Sequence, residues 1–70
     1  MFSIKLVNKK TRKENWLQYY IKEQEYLKTS LYDEKQVYLS VKSVNDELTF
    51  LLRDEKIINK YDIKIVRVDF

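Results

Sequence analysis

The 70-residue chain contains no glycine, proline, cysteine, histidine or alanine. Without cysteine no disulfide can form, and without cysteine or histidine the usual zinc sites are excluded. The glycine-rich loops that cradle phosphates in nucleotide-binding enzymes are absent as well. Catalytic triads built on histidine or cysteine cannot form, and no side chain has an unperturbed pKa near neutrality. We therefore expect a protein that is not an enzyme and that uses no metal and no cofactor.

Carboxylates are the remaining candidates for catalysis, and their spacing does not favour it. Asp54, followed by Asp62 and Lys64, superficially resembles the acidic pattern of metal-dependent nucleases. In a chain that is 36% charged, such a match arises easily by chance. The adjacent acid pairs at 33–34 and 46–47 fall where turns are expected, so they predict turns and caps instead of an acid–base pair.

The length of the chain predicts a single small domain covering residues 1–70. Its core must come from large side chains, and the chain has eight leucine, six isoleucine, six valine and ten aromatic residues. No apolar run approaches the roughly 18 residues that span a membrane, and the first ten residues lack a secretory pattern. We expect a cytoplasmic protein that does not associate with membranes.

The two ends of the chain predict β-strands. In residues 2–7 the apolar side chains recur with the period of two that buries one face of a strand. Residues 61–70 predict the last strand. Residues 54–60, just before it, predict a turn or a single helical turn capped by Asp54.

Residues 12–31 predict an amphipathic helix. Thr11 followed by Glu14 has the spacing of a capping box. An apolar stripe follows at helical spacing: Trp16, Leu17, Tyr20, Ile21, Gln24, Leu27 and Leu31. Because tyrosine and isoleucine favour strands, the alternative is a hairpin with strands at 16–21 and 26–32.

Residues 36–53 predict a β-hairpin that turns at Asn45 and Asp46, because apolar and polar residues alternate on both sides of that pair. Its outer face would carry Tyr38, Leu51 and Arg53. Together the elements predict an α+β fold, with one amphipathic helix packed on a mainly antiparallel four-stranded sheet in the order β-α-β-β-β.

Positive charge is concentrated near the start of the chain. Residues 1–13 carry five basic residues and no acid, in a chain whose net charge is +3. A nucleic-acid-binding hypothesis assigns phosphate contacts to the basic residues and base stacking to a tyrosine. The residues of this candidate site are Lys5, Lys9, Lys10, Arg12, Lys13 and Tyr19. The alternative is a solvated loop, because loops need polar residues and acids follow soon afterwards.

The leading prediction is binding to a protein partner through Tyr38, Leu51 and Arg53, since tyrosine and arginine are enriched at binding hot spots. Lys, Asn, Ile, Tyr, Phe and Met fill 31 of 70 positions, a codon bias that indicates a low-GC bacterium or its phage. We expect an accessory protein that inhibits or modulates a larger host macromolecule, such as a nucleic-acid enzyme or a CRISPR nuclease. An exposed sheet edge would allow a homodimer. The alternative function is nucleic-acid binding through residues 9–13.

Overall fold

In the part of the chain that the computed structural model describes, two α-helices pack on one face of a four-stranded antiparallel sheet. The described residues are 1–21 and 25–69, with side chains described for 1–18 and 28–69. The elements in chain order are β1 (Phe2–Asn8), β2 (Glu14–Ile21), β3 (Glu25–Thr29), a single 3-10 turn (Tyr32–Glu34), α1 (Val41–Leu52), α2 (Glu55–Lys60) and β4 (Tyr61–Arg67). The predicted α+β class is confirmed, and the predicted order of elements is corrected to β-β-β-α-α-β.

Strand β1 lies inside the sheet, whose strand order is β3-β2-β1-β4. It pairs along its whole length with β4 and ends with Asn8 opposite Tyr61. On its other side it pairs with β2, where Lys5 lies opposite Trp16. The first and last strands of the chain are therefore neighbours, and this pairing decides which loops meet at the end of β1.

The two faces of the sheet have different surroundings. Ile4 and Leu6 are fully buried under the helices, whereas Lys5, between them, points to the opposite face and is partly exposed. The core is one cluster of buried residues: Ile4, Leu6, Leu17, Val44, Leu51, Ile57 and Tyr61. Each fully buried aliphatic side chain contributes about 1.5–3 kcal/mol relative to an exposed one, and a domain without disulfides depends on that contribution.

Helix α1 occupies residues 41–52, where the sequence predicted most of a hairpin. The helix begins after Ser40, whose side-chain oxygen accepts a hydrogen bond from the Ser43 N–H at 3.1 Å in a capping box. Val44 and Leu51 are seven residues apart, which places both on one helical face, and both are fully buried. The hairpin prediction is wrong because the same apolar residues fit either period, and the capped start and the packing against β1 favour the helix.

Strands β2 and β3 form a hairpin where the sequence predicted a helix over 12–31, so the alternative prediction is the correct one. Thr11 caps no helix, because its side-chain oxygen accepts a hydrogen bond from the Lys13 N–H at 3.2 Å within the turn that precedes β2. The strand preference of tryptophan, tyrosine and isoleucine prevails because β2 pairs with a neighbour on each side. The register of the hairpin shifts between Leu17 and Tyr19.

The predictions for the two ends of the chain and for residues 54–60 are confirmed, whereas the acid pair at 46–47, predicted to mark a turn, lies inside α1. Strands β1 and β4 lie at the two ends of the chain, and α2 is a short helix capped by Asp54. The Asp54 carboxylate accepts a hydrogen bond from the Lys56 N–H at 3.0 Å. None of the helices in residues 1–21 and 25–69 is long and apolar enough to cross a membrane.

Candidate nucleic-acid interface

The turn that joins β1 to β2 has a defined conformation. The side-chain oxygen of Asn8 accepts hydrogen bonds from the N–H groups of Lys10 and Thr11, at 2.9 and 3.0 Å. The Asn8 N–H donates to the carbonyl oxygen of Lys13 at 2.9 Å, which closes the turn. Arg12 adopts the left-handed backbone conformation, with φ of 61°, so the chain reverses here without glycine. The lysines of the turn are exposed on a hydrogen-bonded backbone.

The fold brings a lysine from α2 to this turn. The N–H of Lys9 donates to the carbonyl oxygen of Lys60 at 3.0 Å, because β4 starts directly after α2 and pairs with β1. A shallow pocket of about 320 Å³ lies between the two segments, lined by Asn8, Lys9, Lys10, Asn59 and Lys60. Three lysines and two asparagines line it, and no acidic residue does. We refer to Lys9, Lys10, Lys13 and Lys60 as the basic end.

Lys60 and Asn59 lie outside the basic stretch that the sequence singles out. Only the register of β1 and β4, with Asn8 opposite Tyr61, brings them next to the turn. The two terminal strands are visible in the sequence, but alternation of apolar residues does not specify which strands pair. A prediction that the first and last strands are neighbours would have identified both residues.

Two of the cations predicted for the site are already paired with carboxylates. Lys5 Nζ lies 3.3 Å from the Glu14 carboxylate, and the Arg12 guanidinium lies 3.0 Å from that of Asp62. Arg12 therefore ties the turn to β4. The lysines of the basic end have no carboxylate at ion-pairing distance among the described side chains. The side chain of Tyr19, the predicted stacking residue, lies outside the described residues.

An aromatic cluster lies on the face of the sheet opposite the helices. Trp16 packs edge-to-face against Tyr32, with ring centroids 5.6 Å apart and an interplanar angle of 83°. Lys5 Nζ lies 4.6 Å from the centroid of the Trp16 ring, and Lys35 Nζ lies 3.2 Å from that of Tyr32. Tyr32 is 49% exposed as a residue, and the Lys35 ammonium covers one face of its ring. We call these four residues the aromatic cluster.

Tyr38, Leu51 and Arg53, the predicted protein-binding residues, do not share an exposed face. Leu51 is fully buried in the core. Tyr38 is half-buried against that core, and burial, followed by the negative charge of Glu47, raises the pKa of its hydroxyl. Arg53 is the C-terminal cap residue of α1. A binding role for Tyr38 and Arg53 stays a prediction, whereas the Leu51 side chain is not accessible to a partner.

Exposed aliphatic side chains occupy a different part of α1. Leu39, Val41 and Leu52 are 80%, 58% and 53% exposed. Val41 and Leu52 lie eleven residues apart, which places them on the same side of the helix, and Leu39 shortly precedes it. We call these three residues the apolar flank.

The acids noted in the sequence have structural roles. Asp54 caps α2, and Asp62 pairs with Arg12. Among the described residues, no group of three or more acidic side chains is arranged to hold a metal ion.

Comparisons with protein-family models, with curated proteins and with solved structures found no match to this chain. The basic end, the aromatic cluster and the apolar flank are the features of the molecule from which a function can be inferred.

Proposed function

We propose that the protein is a non-enzymatic binding protein that holds a nucleic-acid strand by its phosphates at the basic end. The observation that carries this proposal is the pocket in which Lys60 joins Lys9 and Lys10 with no carboxylate in the lining. A solvated loop would need polar residues only within the loop itself. It would not explain why Lys60, which is distant in sequence, lines the same pocket.

The electrostatics of the basic end support an anionic ligand. Three lysines line the pocket without an acidic residue, so the pocket favours an anion, and a nucleic-acid phosphate that binds there releases counterions. Two acids close in sequence to Lys13 and Lys60, Glu14 and Asp62, are already paired with Lys5 and Arg12. The positive field at this end is therefore not cancelled by those two carboxylates.

Fluorescence anisotropy of labelled DNA and RNA across a salt series tests this proposal. Four lysines that each neutralise one phosphate of a single strand predict a log–log slope of affinity against salt of about −3. Changing Lys9→Glu together with Lys10→Glu removes half of these contacts, so we expect a slope of about −1.5 and at least about tenfold weaker binding at low salt.

A charge-matched variant controls for net charge. Lys42→Glu with Arg67→Glu makes the same total change, but Arg67 lies opposite Phe2, at the other end of β1 from the turn, and Lys42 lies in the first turn of α1. We expect this control to retain the slope of the unaltered protein. Equal losses in both variants, or no binding by the unaltered protein at low salt, would contradict a phosphate site at the basic end.

A second candidate function is binding to a protein partner through the apolar flank, and it is favoured by the exposure of Leu39, Val41 and Leu52. Such a partner would be a larger host macromolecule, for example a nucleic-acid enzyme, that the protein inhibits one to one. Affinity capture from a low-GC bacterial lysate, with Leu39→Ser and Leu52→Ser changed together as the control, tests it. Capture of the same protein by the variant, or capture of no protein by the unaltered chain, would contradict binding through the apolar flank.

A further inference from the structure

We infer that the aromatic cluster is a platform for unpaired bases, so that the ligand of this protein is single-stranded nucleic acid. This inference rests on the proposed function and adds the class of strand to it. The observation behind it is that a half-exposed tyrosine and the only tryptophan of the chain are in ring contact on the sheet face opposite the helices.

The geometry of the cluster suits stacking. Tyr32 and Trp16 are in edge-to-face contact at 5.6 Å, which fixes the orientation of each ring relative to the other. Tyr32 lies in the 3-10 turn that follows β3, and this turn is held to the sheet by a hydrogen bond from Thr29 Oγ1 to the Glu34 carboxylate at 3.0 Å. Lys35 covers one face of the Tyr32 ring, so a base that stacks on that face displaces the ammonium group and meets a ring whose backbone is held in place.

Charge at the cluster is balanced, which separates its role from that of the basic end. The cluster contains Lys5 and Lys35, and a third lysine, Lys64, lies opposite Lys5 on β4. Glu14 is paired with Lys5, the Glu34 carboxylate accepts a hydrogen bond from Thr29, and Asp33 directly follows Tyr32 in the 3-10 turn. The local sum is +3 −3 = 0, so the cluster adds stacking to the interface, and the attraction for phosphate comes from the basic end.

The two surfaces are close enough for one strand to contact both. Lys5 belongs to the aromatic cluster and Lys9 to the basic end. The two are four residues apart, joined by the end of β1 and the start of the turn. At about 3.3 Å per residue this separation is about 13 Å. A single strand can present phosphates at one surface and a base at the other, whereas the bases of a duplex are paired and stacked inside the helix and cannot reach Tyr32.

Trp16 provides a direct signal for this inference, because it is the only tryptophan in the chain. We expect its fluorescence to be quenched when an oligodeoxythymidine of about 15 nucleotides is added, and to change much less with a duplex of the same length. Tyr32→Ala should weaken single-strand binding about tenfold and leave the salt slope and duplex binding unchanged. Tyr32→Phe keeps the ring, so it should bind as the unaltered protein does.

The outcomes separate this inference from the proposed function. Equal affinity for single strand and duplex, with unchanged Trp16 fluorescence, would overturn the platform while leaving the phosphate site intact. A Tyr32→Ala variant that flattens the salt slope would also overturn it, because stacking does not release counterions. Absence of binding to either form would overturn both proposals. Should Tyr32→Ala fail to fold, the fluorescence comparison on the unaltered protein still decides.

Discussion

Glu47 is a residue whose ionisation the fold opposes. It lies on α1 and is partly exposed, and burial raises the pKa of its carboxyl group above the ordinary range. The folded protein therefore binds this proton more tightly than the unfolded chain does. Its contribution to stability is fully present below the ordinary carboxyl pKa and is lost as the pH rises through the raised value.

Glu47→Gln removes that charge and keeps the shape of the side chain. We expect the free energy of unfolding to be higher than that of the unaltered protein at about pH 7 and nearly equal to it at about pH 4. Urea unfolding at the two pH values measures the difference, and Glu55→Gln, at an exposed position on α2, should give no such gain. A benefit of equal size at both pH values would mean that the charge is not the cause.

Leu51 and Leu52 are neighbours in α1 but differ in exposure to solvent. Leu51 is fully buried, whereas Leu52 is 53% exposed. Leu51→Ala should lower the free energy of unfolding by about 2–5 kcal/mol because it leaves a cavity in the core. Leu52→Ala should change it by no more than about 0.5 kcal/mol. Chemical denaturation of the two variants measures both values.

The same pair of variants distinguishes the helix from the hairpin that the sequence predicts over 36–53. In that hairpin Leu52 faces the core and Leu51 faces outward, so the order of the two effects would be reversed. Leu51→Met supplies a milder change if Leu51→Ala does not fold, since the margin of a 70-residue domain is small. A larger loss at residue 52 than at residue 51 would contradict the helix.

An element could be predicted from the sequence where its apolar residues fit the spacing of a strand or of a helix, but not both. Strand β1 and the Asp54 cap of α2 could be predicted in this way. Residues 41–52 could not, because their apolar side chains satisfy both alternation and helical spacing. The signal that distinguishes the two is the serine pair at 40 and 43, whose reciprocal hydrogen bonds begin α1. In the β2–β3 hairpin, strand propensity competed with a helical stripe, and pairing with neighbouring strands decided the outcome.

The candidate site was predictable only in the part that is continuous in sequence. Lys9, Lys10 and Lys13 lie where the basic stretch suggested, in an exposed turn. Lys60 joins them through strand register, and Tyr32 meets Trp16 through the path of the chain after β3. Both contacts depend on how distant segments pack, which a pattern of neighbouring residues does not encode.

The whole molecule carries its candidate surfaces in different places. Its extents are 30 × 23 × 16 Å. The basic end lies beyond Asn8 at one end of β1, while Leu39 and Val41 follow the segment that pairs with Phe2 at the other. Variants of the two surfaces can therefore be tested independently.

The association of the turn with the end of α2 can be observed residue by residue. We would record amide chemical shifts by NMR while titrating the ¹⁵N-labelled protein with a short oligodeoxythymidine. We predict that Lys9, Lys10, Asn59 and Lys60 shift together, with the Trp16 indole shifting at the same ligand concentrations. Shifts confined to the turn would contradict a joint pocket, and no shifts at any of these positions would contradict nucleic-acid binding by this protein.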